Sequence, residues 1–129
     1  MYFIAQKRGG VTFDRVIING VLQYINDKDI DLCFENINKV INRNCIIYIK
    51  EAVGRDDRFS LVDYYSDELK TNYNTIFRTV GEYYGKFLEF FLSKGFYMVS
   101  CGPTWENDLE NRKESMSYYW IMERQLERG

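Results

Sequence analysis

Between Gly54 and Asn74 the sequence runs GRDDRFSLVDYYSDELKTNYN, a stretch crowded with arginine, aspartate and tyrosine and lacking any single period. Arg55 and Arg58 carry guanidinium forks that suit a phosphate or a carboxylate, and the faces of Tyr64, Tyr65 and Tyr73 suit a sugar or a cationic amine. The same arginines flank Asp56 and Asp57, so a solvated charge cluster is the competing reading of the pattern. A gap elsewhere narrows acid/base chemistry: the chain has no histidine. Proton transfer would fall to carboxylate, tyrosine, lysine or cysteine. The three cysteines, Cys33, Cys45 and Cys101, lie far apart without a CxxC spacing. That argues against a zinc site and for a reduced, cytoplasmic setting.

The elements that must position these residues come from a chain of 129 residues, 46% apolar, 28% charged and 17% aromatic, enough for one packed domain. Lys plus Arg number 17 and Asp plus Glu 19, so no positive field draws nucleic acid or an anionic membrane. No apolar run approaches the roughly 18 residues of a membrane span, and the start MYFIAQKRGG has no signal-peptide layout.

FDRVIIN, residues 13 to 19, sets Val16, Ile17 and Ile18 side by side, the pattern of a parallel strand buried on both faces with a helix over each. A helix is expected from about Lys28 to Ile41, capped by Asn26 or Asp27, with Asp29 and Asp31 early in it. Its apolar stripe is Ile30, Cys33, Phe34, Ile37, Val40 and Ile41. NRN should end it in a left-handed turn, and CIIYIKEAV reads as a second strand, joined by a right-handed crossover. Gly54 to Asn74 is expected as a long connection with a helical turn near Asp63 to Lys70. Long connections at the carboxyl ends of parallel strands are where α/β domains keep ligand contacts. A further helix spans about Thr79 to Lys94, with Gly95 beyond it. FYMVSCG and MSYYWIMERQ then form an antiparallel pair across the loop PTWENDLENRKES.

In that order, with NGVLQYI as the first turn and LSKGF closing the last helix, the elements resemble the C-terminal half of a class I S-adenosylmethionine-dependent methyltransferase over residues 11 to 125. The resemblance implies a single partial α/β domain across residues 1–129. Its Rossmann-like sheet would hold strands four to seven, the last antiparallel, flanked by helices. Family members start with a glycine-rich turn and an acidic strand end that hold the cofactor; MYFIAQKRGG has neither. The chain is thus expected to begin mid-fold, with a bare fourth-strand edge covered by residues 1 to 10, by a second copy in a homodimer, or by a separate N-terminal half. In the assembled fold, Asn19, Gly20, Val21 and Gln23 would face S-adenosylmethionine and Tyr24 the reaction centre. Glu51, just past the fifth strand, would orient or deprotonate a small-molecule acceptor such as a sugar or amine. Arg55, Arg58, Tyr64, Tyr65, Tyr73 and Arg78 would line the acceptor pocket. The alternative function is a non-catalytic methyltransferase-like fragment or partner subunit.

Overall fold

A computed structural model describes residues 2–4, 12–66, 71–105 and 114–126, with the backbone alone for 2–4, 63–66 and 71–73. Five strands form one mixed sheet in the order β1-β2-β3-β7-β6. They are β1 (Tyr2–Ile4), β2 (Phe13–Asn19), β3 (Ile41–Gly54), β6 (Tyr97–Pro103) and β7 (Ser115–Arg124). β2 and β3 run parallel, and β7 lies antiparallel between β3 and β6. The chain is α/β, with helices α1 (Asp27–Val40) and α2 (Val80–Phe90) packed on the sheet. No helix among the described residues is long and apolar enough to cross a membrane.

Both helices lie on one face of the sheet, contrary to the expectation of one on each. Ile30, Phe34 and Ile37 of α1 and Tyr83, Phe87 and Phe90 of α2 join one core with Val16, Ile18, Ile47, Ile49, Trp120 and Met122. Phe34 is its hub: its ring centroid lies 5.9 Å from Phe87, 5.7 Å from Phe90 and 4.9 Å from Phe91. Between the buried residues of β2 and β3, Ile17 and Ile46 point the other way and are 40% and 37% exposed. The run Val16–Ile18 therefore alternates, as strand geometry requires of a sheet covered on one side.

The helix ends also obey local chemistry. Asn26 caps α1 by accepting the Asp29 N–H at 2.8 Å, and Thr79 with Glu82 forms a reciprocal capping box on α2. NRN makes no left-handed turn: Ile41 is already extended at φ −96°, and α1 passes straight into β3. The irregularity falls in the pairing, where Phe13 faces Ile41 but Arg15 faces Ile46. Arg124 holds the displaced backbone, donating to the carbonyls of Arg43 at 2.9 Å and Asn42 at 3.0 Å.

The expected irregular connection after Gly54 is a β-hairpin, β4 (Phe59–Ser66) and β5 (Thr71–Phe77), in a second, two-stranded sheet. Residues 63–66 are strand rather than helical turn, and 67–70 lie outside the described residues. The rings of Phe59 and Phe77 stack at 4.5 Å across its open end. At the sheet edge, β1 pairs antiparallel with β2 over Ile17 to Asn19, so an N-terminal segment occupies the edge that the fold left in question.

Truncating the aromatic hub should be costly because neighbouring rings cannot close the void. Phe34→Ala is expected to lose about 3–5 kcal/mol of stability in urea denaturation with little change in slope.

Candidate functional site: a doubly clamped loop

β2 and β3 deliver their carboxyl ends side by side, and the chain leaves β2 through Asn19 and Gly20. Gly20 adopts φ +68°, a conformation that strains side-chain-bearing residues, and its N–H bonds the Lys50 carbonyl at 2.9 Å. A Cβ at Gly20 would meet nothing within 4 Å, so this corner is open. The next residues, Val21 to Asn26, turn back beneath the sheet end, leaving backbone groups that need partners away from water.

Two buried charged side chains from distant segments supply those partners. Glu51, 1% exposed, accepts the Val21 N–H on Oε2 and the Gln23 N–H on Oε1, each at 3.0 Å. Gln23 returns the contact, its Oε1 accepting the Ala52 N–H at 3.1 Å. Arg78, 2% exposed, donates to the Leu22 carbonyl at 2.9 Å and the Ile25 carbonyl at 2.6 Å. It also donates to Asp27 at 2.8 Å, and its Nη1 lies 3.5 Å from the Tyr83 hydroxyl. The loop's donors thus go to a carboxylate and its carbonyls to a guanidinium, the charge-assisted form of each bond.

Burial pushes the Glu51 carboxyl up to about 7, outweighing the backbone N–H groups of Gln23 and Val21 that favour its anion. Burial likewise raises the Tyr83 phenol, with the neighbouring Glu51 adding to it. Burial alone would raise Asp27, but Arg78 and Arg58 together hold it below the ordinary carboxylate value.

Glu51 lies within β3 rather than past its end, facing the loop and closed off from solvent. Arg78 is likewise turned inward, its guanidinium spent on the loop and on Asp27 instead of open to a ligand. Arg58, 40% exposed, bridges Asp27 at 3.0 Å and Glu82 at 2.7 Å. Neither Arg55 nor Arg58 pairs with Asp56 or Asp57 among the described residues; Arg55 donates to the Ser115 carbonyl at 3.1 Å. The hairpin register sets Tyr64 opposite Tyr73, with Tyr65 beside them opposite Asn72; the three tyrosine side chains lie outside the described residues. Asn19 is exposed beside Gly20, while Val21, Gln23 and Tyr24 are half-buried.

The sequence pattern offered Asp27 only as a helix cap and assigned no role to Glu82 or Lys50. The capping spacing Thr79-x-x-Glu82 was a legible signal for Glu82. Lys50 places its Nζ 5.6 Å from the ring of Trp105, itself 52% exposed. A cleft of about 290 Å³ lies on the clamp's outer side, lined by Asp27, Arg58, Arg78, Glu82 and Lys86 among others. A larger one of about 430 Å³ lies at the opposite, amino end of β2 and β3. Open α/β sheets bind ligands at the carboxyl ends of strands, so the smaller cleft is the better placed.

No family model matches the chain, and no curated protein matches it in sequence. Solved structures do share its fold. One is the 1,6-didemethyltoxoflavin-N1-methyltransferase of Burkholderia thailandensis with 1,6-didemethyltoxoflavin and S-adenosylhomocysteine bound. It matches at TM-score 0.62 and 12% identity, over 95% of this chain and 48% of that one. The glycopeptide N-methyltransferase MtfA with S-adenosyl-L-methionine matches at 0.57 and 9%, over 90% and 55%. The DhpI complex with S-adenosylhomocysteine matches at 0.53 and 11%, over 89% and 48%. The chain thus shares its fold with part of these S-adenosylmethionine- or S-adenosylhomocysteine-bound proteins. The chain spans about half the length of these structures.

Glu51 makes stability pH-dependent with a definite sign. Its folded pKa, about 7, exceeds the ordinary 4.5, so its contribution is full below 4.5 and is lost as pH rises to about 7. Denaturation midpoints across that window should fall in the wild type, and the Glu51→Gln variant should lack this component of the slope. Arg78→Lys replaces a planar fork by one compact ammonium that does not span the three acceptors and should cost about 1–3 kcal/mol. Faster amide exchange at Leu22 to Tyr24 than in the wild type would accompany that loss.

Proposed function

We propose that this chain forms the C-terminal wall of an S-adenosylmethionine-dependent methyltransferase acting on a small-molecule acceptor. The observation that carries the reading is the clamped loop at the carboxyl end of β2, in a fold shared with proteins solved with S-adenosylmethionine or S-adenosylhomocysteine bound.

The described residues fit one wall of such a cofactor site. Asn19 is exposed and Gly20 borders open space, whereas the N–H groups of Val21 and Gln23 face Glu51 and are unavailable to a ligand. The contact this reading assigns to the chain's own residues is with the part of the cofactor that lies beside Asn19 and Gly20. When bound, the cofactor supplies a methyl group on a sulfonium, open to in-line displacement. What this chain contributes is alignment, the larger part of such a reaction's demand on a protein. Glu51 and Arg78 act here as positioning residues that fix the loop, and the acceptor falls to the hairpin with Tyr64, Tyr65 and Tyr73, to Arg55 and Arg58, and to Tyr24.

An amine is the acceptor class we favour. Two of the matched proteins are named as N-methyltransferases. A neutral amine attacks with its own lone pair and gives up its proton afterwards, so the lack of histidine and the enclosure of Glu51 are no obstacle. One observation favours the alternative, a non-catalytic methyltransferase-like partner: Glu51 and Arg78 both direct their hydrogen bonds to the protein itself.

Titration with S-adenosylhomocysteine, followed by backbone amide resonances, separates the two. The enzyme reading expects saturable shifts at Asn19 and Gly20, weakened several-fold by Asn19→Ala. The non-catalytic reading expects resonances 19–24 to stay still at every concentration.

A further inference from the structure

Two arginines bracket the hairpin in the chain: Arg58 directly precedes β4, and Arg78 directly follows β5. Their guanidiniums close on one carboxylate. Arg58 Nη2 meets Asp27 Oδ2 at 3.0 Å and Arg78 Nε meets Asp27 Oδ1 at 2.8 Å, so each oxygen serves one end of the hairpin. Asp27 is the first residue of α1, directly after the Asn26 cap, where the helix N-terminus favours an anion. Its backbone is fixed by the helix, and the arginines come to it.

The hairpin is joined to the rest of the molecule at its base. β4 pairs with no strand but β5 among the described residues. Beside the arginines, the Gly54 N–H donates to the Arg78 carbonyl at 3.0 Å. A Cβ on Gly54 would run into the Asp57 backbone carbonyl and lie 3.2 Å from that of Phe77, so both ends of the hairpin close tightly on the end of β3. From Asp27, Arg78 continues to the carbonyls of Leu22 and Ile25, which puts one carboxylate a single side chain away from the loop after β2.

We propose that Asp27 is a positioning residue for methyl transfer: it fixes the angle of the tyrosine-bearing hairpin, and with it the place of the acceptor relative to the cofactor-facing corner at Asn19 and Gly20. The assignment rests on the reading that the hairpin carries acceptor contacts. In such a transfer a misplacement of about 1 Å can cost about 100-fold in rate, so the hairpin's angle matters to the chemistry.

Residual dipolar couplings of backbone amides test the assignment without any substrate. In the wild type the couplings of β4 and β5 should fit the same alignment as those of the five-stranded sheet. In Asp27→Ala the misfit of the hairpin to the sheet's alignment should rise several-fold while the sheet still fits its own. Asp27→Asn keeps the shape but offers one acceptor to two donors, and should depart in the same way. Glu82→Gln weakens the other ion pair of Arg58 and leaves Asp27 in place, so its hairpin should keep the fit. A hairpin that stays in the sheet's alignment in the folded Asp27 variants would overturn the proposal, as would a Glu82→Gln misfit as large as theirs. The titration with S-adenosylhomocysteine is a separate arm: still resonances at Asn19 and Gly20 would remove the enzyme reading, whereas the couplings report on the anchor alone.

Discussion

Everything at the candidate site depends on one loop whose backbone is satisfied by two buried ionisable side chains, a carboxyl and a guanidinium. Glu51 takes its N–H groups and Arg78 its carbonyls. Burying an ion is expensive unless its bonding capacity is filled: two loop carbonyls and Asp27 do this for Arg78, whereas at Glu51 burial outweighs the loop N–H groups and lifts the carboxyl to about 7. The arrangement works in reverse as well: without these side chains the loop would carry orphaned donors and acceptors under the sheet end. The conformation after β2 is therefore set by residues roughly 30 and 55 positions further along the chain, a tertiary dependence that local propensity cannot supply.

That dependence explains what could be read in advance. The apolar stripes of α1 and α2 fall at helical spacing, and the runs at Val16–Ile18 and Cys45–Ile49 announce strands, so the order of elements was legible. The hairpin was not. FSLVDYYS and TNYNTIF carry the β-branched and aromatic residues of strands, but Val62 is 75% exposed while Thr75 and Phe77 are buried, which blurs any alternation. Glu51 was singled out as the important carboxylate; its direction, inward to Val21 and Gln23, needed the pairing of β2 with β3. Arg78 looked like a ligand arm for the same reason. Nothing in a linear pattern distinguishes a guanidinium that reaches outward from one consumed by its own fold.

The helices' shared face has an energetic side. Placing Phe34, Phe87, Phe90 and Phe91 together concentrates aromatic burial in one layer, and the opposite face keeps its isoleucines in water. Among the described residues the sheet draws its burial from one side, and its other surface mixes Ile17, Ile46 and Tyr48 with Arg15, Asn19, Lys50 and Glu123.

The hairpin ends at Phe77, and Arg78 is the very next residue. β5 also packs beside the turn Leu22–Tyr24. Whatever tilts the hairpin must therefore carry the guanidinium with it, and the guanidinium is fastened to the loop. The base of the tyrosine-bearing hairpin and the loop after β2 therefore share one side chain, whose bonds end on the carbonyls of Leu22 and Ile25.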